Sequence, residues 1–173
     1  MASSSSSHQR NAFSRTNKMR EVEESSGSFD VFINHEGPDV KQTLATQIYN
    51  FLKERDIQVF VDSQETTLGE SFHSIIETAI SSASVLIAIF SKKYAESTWC
   101  LAELVLMLQS KAKIIHVFYE VEPWELRHIE KGVYAEAFRK HESDKRHLDK
   151  IEKWKEALQQ VSYTAGHIFK NSE

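Results

Sequence analysis

Two stretches of this chain, SVLIAIF (84–90) and KIIHVFY (113–119), are apolar almost throughout and rich in branched residues. A strand with one wet face alternates polar and apolar residues, because successive side chains point to opposite sides. Runs without that alternation suit strands buried on both faces, as in a parallel sheet. The other segments fall into step. FDVFIN (29–34) and IQVFV (57–61) are short and apolar and read as strands. VKQTLATQIYNFLKERD (40–56) places Leu44, Ile48, Phe51 and Leu52 at helical spacing. Asp62 to Glu70 reads as a polar loop, and SFHSIIETAISSA (71–83) as a helix rich in Ser and Thr. After Tyr119 come a polar loop with Pro123, a short helix VYAEAFRKH (133–141) and a longer helix presenting Ile151, Trp154, Leu158 and Val161. A weak strand, HIF (167–169), closes the series.

Strands alternating with helices imply right-handed crossovers and a parallel α/β sheet. Five strands in one domain suggest a flavodoxin-like doubly wound fold, whose ligands bind outside the carboxyl ends of the strands. The loop after VLIAIF runs straight into SKKYAESTWCLAEL (91–104). On the helix that begins there, Cys100, Leu101, Leu104, Val105 and Leu108 form one stripe, expected to face the core. Trp99 and Glu103 fall on roughly the opposite side, so they are expected to line the crevice. Spacing alone reads Glu103 as an ordinary exposed helix glutamate, Trp99 as a loop-packing residue, and Ser91 and Tyr94 as capping or packing groups.

The chain is divided into a disordered leader, 1–28, and one folded domain, 29–173. The leader holds SSSSS, basic residues with no acid before Glu21, and EVEESSGS, which cannot build a core. Its Ser/Arg-rich start resembles a transit peptide but lacks an amphipathic pattern, so it reads as a plain tail with organelle targeting as the alternative. A net charge of −4 implies neither a nucleic-acid partner nor an anionic membrane surface. No apolar run approaches the ~20 residues that span a bilayer. The single cysteine, Cys100, forms no internal disulfide and suits a reducing compartment, and it reads as an inert core thiol.

Most catalytic signatures are absent. The five glycines are too far apart for a G-x-G-x-x-G or Walker loop, and there is no G-x-S-x-G elbow. None of the eight histidines sits in an H-E-x-x-H pattern, so no metal is expected. His141 and His147 bracket a charged run and read as solvated surface.

The order FDVFINHEGPDVK, LGESFHSIIETAISSASVLIAIFSKKYAESTWCLAEL, FYEVEPWELRHIEKGVYAEAFRKH and KWKEALQQVSYTAGH resembles a plant-type TIR (Toll/interleukin receptor) domain. The resemblance runs from about Phe29 to Ile168. It implies signalling in plant innate immunity, in the cytoplasm or also the nucleus, with NAD+ and other TIR domains as partners through self-association. It further implies cleavage of NAD+ or NADP+ at the nicotinamide–ribose bond, with the dinucleotide as substrate and no resident cofactor. The family's catalytic acid, the glutamate of its W-C-x-x-E-L segment, corresponds to Glu103. His35, Gly37, Lys41, Ser91, Tyr94 and Trp99 are the implied nucleotide contacts.

The chain also departs from the family. The arginine usual after the first strand is Glu36 here, and Lys41 keeps a second positive charge as a point charge, not a fork. Leu68 stands where a basic residue usually precedes the glycine, and Thr46-Gln47 replaces a Ser-His pair used in self-association. The final helix usual in the family is expected to be lacking. Two readings therefore remain open: an NAD+ glycohydrolase, or a catalytically inactive TIR adaptor or decoy.

Overall fold

The computed structural model describes residues 28–37, 44–61 and 70–170. Residues 1–27 of the leader, Lys41 and the loop holding Leu68 lie outside these residues. The strands are β1 (Val31–His35), β2 (Val59–Val61), β3 (Val85–Phe90), β4 (Lys113–Tyr119) and β5 (His167–Phe169). The helices are α1 (Thr46–Lys53), α2 (Glu70–Ser82), α3 (Thr98–Gln109), α4 (Pro123–Arg127), α5 (Ala135–Ser143) and α6 (Leu148–Ser162). The five strands form one sheet in the order β2-β1-β3-β4-β5, parallel at every pairing. This is the doubly wound arrangement, and its order reverses between β1 and β3.

Both faces of the sheet are covered, as the unalternating runs require. On one face Val31, Ile33, Val59, Ile87, Ile89 and Val117 pack with Ala45, Ile48 and Leu52 of the α1 region. On the other, Phe32, Leu86, Ala88, Phe90 and Phe118 join the apolar faces of α2 to α6. The expected stripe of α6 is present, with Ile151, Trp154, Leu158 and Val161 all buried. Burying one such side chain stabilises the fold by roughly 1.5–3 kcal/mol before entropy is counted.

The structure corrects three expectations. The stretch around Pro123 is not a plain loop. Pro123 opens α4, and Glu122 and Glu125 form a reciprocal capping box around its first turn. His141 is not solvated: it is buried, its Nε2 lies 2.7 Å from the Ala95 carbonyl, and its ring meets Trp154 edge-on. The third concerns α3. Its buried residues are Cys100, Leu101, Glu103, Leu104 and Met107, while Val105 and Leu108 are half-buried. Helix α3 is covered by the sheet on one side and packs against α2 and α6, so burial extends around most of it. Glu103 is consequently interior and not on an exposed flank.

Candidate active site

The site is built where β1 and β3 end. After Phe90 the chain makes a tight turn, with the Tyr94 N–H donating to the Ser91 carbonyl at 3.1 Å. Ser97 then caps α3, its Oγ accepting from the Cys100 N–H at 3.2 Å. That cap fixes the azimuth of the first two helical turns and so of Trp99 and Glu103.

Glu103 is 2% exposed. Its Oε2 accepts a 2.7 Å hydrogen bond from Nδ2 of Asn34, a fully buried residue of β1. The Asn34 Oδ1 in turn accepts from the Tyr94 hydroxyl, which also lies 3.2 Å from the Cys100 carbonyl. Burial, and then the charges of Cys100, Glu103 and Tyr134, push the Tyr94 phenol well above its ordinary range, so it stays protonated.

The segment His35-Glu36-Gly37 is pinned over this network by its backbone. The Cys100 thiol donates to the His35 carbonyl at 3.2 Å, and the Ser91 hydroxyl to the Glu36 carbonyl at 3.4 Å. The Ser91 carbonyl is held by the Tyr134 hydroxyl at 2.8 Å. Gly37 has φ +87° with nothing within 4 Å of an added Cβ, so backbone conformation, not space, calls for glycine there. The carboxylate of Glu36 stands 3.9 Å from the Cys100 sulfur, which adds a second acid to the same edge.

The structure thus gathers Glu103, Tyr94, Ser91, His35 and Gly37 at one strand edge. It revises how some of them are presented. Tyr94 is fully buried with its hydroxyl engaged by Asn34, so it offers no surface to a nucleotide and acts from beneath. His35 is buried at 4%, on the face opposite Asn34 by strand alternation. Ser91 is also buried. Trp99 is 36% exposed and leans toward His73 of α2 at 6.2 Å between ring centroids, placing it at the rim. Asn34 was not singled out from sequence. Its one signal is a polar amide in the middle of an apolar strand. Away from this edge, a hollow of about 150 Å³ between α5 and α6 is lined by Ile129, Phe138, Arg139 and Lys155. That is well below the ~300 Å³ at which ligand pockets begin.

A carboxylate held at the switch point of a 2-1-3-4-5 parallel sheet, on the W-C-x-x-E-L turn of α3, is what the sequence resemblance leads one to look for. The TIR domain family model matches residues 28–173, and the chain belongs to that family. Among solved structures it is similar to the TIR domains of the activated Roq1 resistosome directly recognizing the pathogen effector XopQ. That match has 37% identity and a TM-score of 0.72, covering 84% of this chain and 90% of that one. Among curated proteins it is 32% identical to TMV resistance protein N of Nicotiana glutinosa, over 80% of this chain and 12% of that protein. It is 36% identical to disease resistance protein RPP4 of Arabidopsis thaliana, over 85% of this chain and 13% of the relative. It is 31% identical to the probable 2′ cyclic ADP-D-ribose synthase BdTIR of Brachypodium distachyon, over 80% of this chain and 58% of that protein. The chain therefore spans a small part of the resistance proteins and somewhat over half of BdTIR.

Proposed function

We propose that this chain is an NAD+ glycohydrolase of plant innate immune signalling, with Glu103 as its catalytic carboxylate and self-association as its activator. The observation that carries the reading is Glu103 itself, 2% exposed and bonded to Asn34 where the sheet order reverses. Nicotinamide leaves a cationic ring as a neutral one, so no general acid is needed. The ribosyl carbon becomes oxocarbenium-like, as in glycoside hydrolysis. A fixed carboxylate out of water stabilises that positive charge far better than one in bulk solvent. NAD+ or NADP+ enters as substrate, and the bond from the ribosyl carbon to nicotinamide breaks. Water adds there with loss of a proton to give ADP-ribose (or its phosphate), or a nucleophile of the same molecule adds in its place to give a cyclised relative. The likeness to BdTIR, named a probable cyclic ADP-ribose synthase, supports this chemistry.

In the single chain Glu103 is shut away from solvent, so a ribose reaches it after the rim beside Trp99 has moved. Docking of a neighbouring TIR domain would supply that movement, and the likeness to the TIR domains of a resistosome supports such assembly. The cytoplasm is the setting this reading assigns. A second reading, an inactive adaptor working through TIR–TIR binding, is favoured by one observation. Glu36 holds a negative charge at the end of β1, beside Cys100, where the diphosphate would approach.

The experiment is nicotinamide release from NAD+ by clustered protein, wild type against Glu103→Gln, a change that keeps side-chain volume. Loss of about 100-fold or more in turnover is expected. Equal turnover in the two proteins removes Glu103 from the chemistry. No turnover in clustered wild type, with TIR binding retained, establishes the adaptor.

A further inference from the structure

We propose that Asn34 is the positioning residue of this site: its amide, oriented by Tyr94, holds the Glu103 carboxylate in one rotamer and in its ionised form. This deepens the glycohydrolase reading and rests on it. Asn34 sits in β1 between Ile33 and His35, registers with Ala88 of β3, and is fully buried. An apolar residue there would complete the strand but take a partner from the buried Glu103 carboxylate and the buried Tyr94 hydroxyl, and a buried amide is itself expensive unless bonded. Asn34 is bonded on both sides. Nδ2 donates to Glu103 Oε2 at 2.7 Å and lies 3.5 Å from the Cys100 carbonyl, and Oδ1 accepts from Tyr94.

The amide is oriented with its oxygen toward Tyr94, whose hydroxyl donates to it. Its N–H groups then face Glu103 and the Cys100 carbonyl. Burial at 2% exposure works against ionisation of Glu103, and an N–H donated to the carboxylate offsets it by favouring the charged form, which is the form that stabilises an oxocarbenium ion. The bond also fixes the plane of the carboxylate from a strand that is hydrogen-bonded to β2 on one side and β3 on the other. The titratable groups around the amide are Glu103 and Cys100 on α3, Tyr94 in the turn before it, Tyr134 beyond, and His35 and Glu36 next in the chain. Asn34 and Glu103 lie 69 residues apart, so the pairing is made by the fold alone.

The test compares wild type, Asn34→Leu and Tyr94→Phe by carbon NMR titration of the Glu103 carboxyl, alongside the pH dependence of nicotinamide release. In Asn34→Leu, Glu103 is expected to titrate at higher pH, and the acid limb of the kcat profile to move the same way. Turnover should fall about 10- to 100-fold, the worth of one bond to a charged group, with KM for NAD+ within about twofold. Tyr94→Phe keeps the ring and its edge contact with Phe90. It should shift the titration in the same direction by less, which guards against an Asn34→Leu protein that does not fold. An unmoved Glu103 titration in the folded variants overturns the proposal, as does lost turnover with an unchanged pH profile. A wild type that releases no nicotinamide sinks the glycohydrolase reading instead, and the NMR titration then decides the role of Asn34 by itself.

Discussion

Replacing Gly166 by alanine is expected to loosen the last strand through a steric cost that the structure sets. Gly166 lies between the end of α6 and β5, pressed against β4. A Cβ added there would stand 2.9 Å from the His116 carbonyl oxygen and 3.1 Å from the His116 Cβ, and would run into the ring of Phe118. None of these neighbours yields easily. The carbonyl belongs to a strand hydrogen-bonded on both sides, and Phe118 is fully buried and stacked on Phe90 at 5.5 Å. Overpacking a rigid site costs about 1–3 kcal/mol, and backbone obstacles argue for the upper end. At roughly 2–4 °C per kcal/mol for a protein of this size, Tm should fall by about 6–12 °C. If the strain is relieved by peeling β5 away, the Glu120 N–H loses its 2.9 Å bond to the Phe169 carbonyl. Amide exchange across 167–169 and at Glu120 then accelerates. Thermal unfolding by circular dichroism and hydrogen exchange by mass spectrometry read the two outcomes. A Tm within about 1 °C of wild type, with exchange at β5 unchanged, refutes the steric reasoning.

Burial lowers the pKa of His116, whose Nδ1 lies 2.8 Å from the Thr164 hydroxyl, so its protonated form is favoured in the unfolded chain. Its contribution is intact above the unfolded value of about 6.5 and is lost as pH falls from there toward the folded value, at up to about 1.4 kcal/mol per pH unit. Denaturant midpoints measured on either side of that value should differ less in His116→Gln, and an equal drop in both proteins rejects the assignment. For Glu36→Arg, like charges ~5 Å apart at an effective dielectric near 20 repel by roughly 3 kcal/mol. Removing that repulsion should lower KM for NAD+ by tenfold or more, and nicotinamide release that is unaltered or lower contradicts it.

Periodicity carried the fold well because β3 and β4 had no other way to hide both of their faces. The helix α4 is equally legible in E-P-x-E, a cap followed by proline, but polar composition alone reads the stretch as a loop, whereas here Pro123 is a helix initiator. The site was harder to read. A helical wheel ranks positions by apolarity, so it placed Glu103 outside; it carries no information about Asn34, arriving from a strand 69 residues away to bond it. The burial of His141 escaped for the same reason: its cover, Trp154 and the Ala95 carbonyl, comes from distant elements. Polar groups are held inside by partners that sequence spacing does not reveal.

The chain has a single sulfhydryl, and it sits fully enclosed between the end of β1 and the start of α3, donating to the His35 carbonyl. A maleimide reaches Cys100 when those two elements part, and under the glycohydrolase proposal a nucleotide sugar would reach Glu103 only when this closed edge opens. Alkylation kinetics of this one atom therefore serve as an internal clock, counting how often the closed edge comes open in a lone molecule and in a cluster.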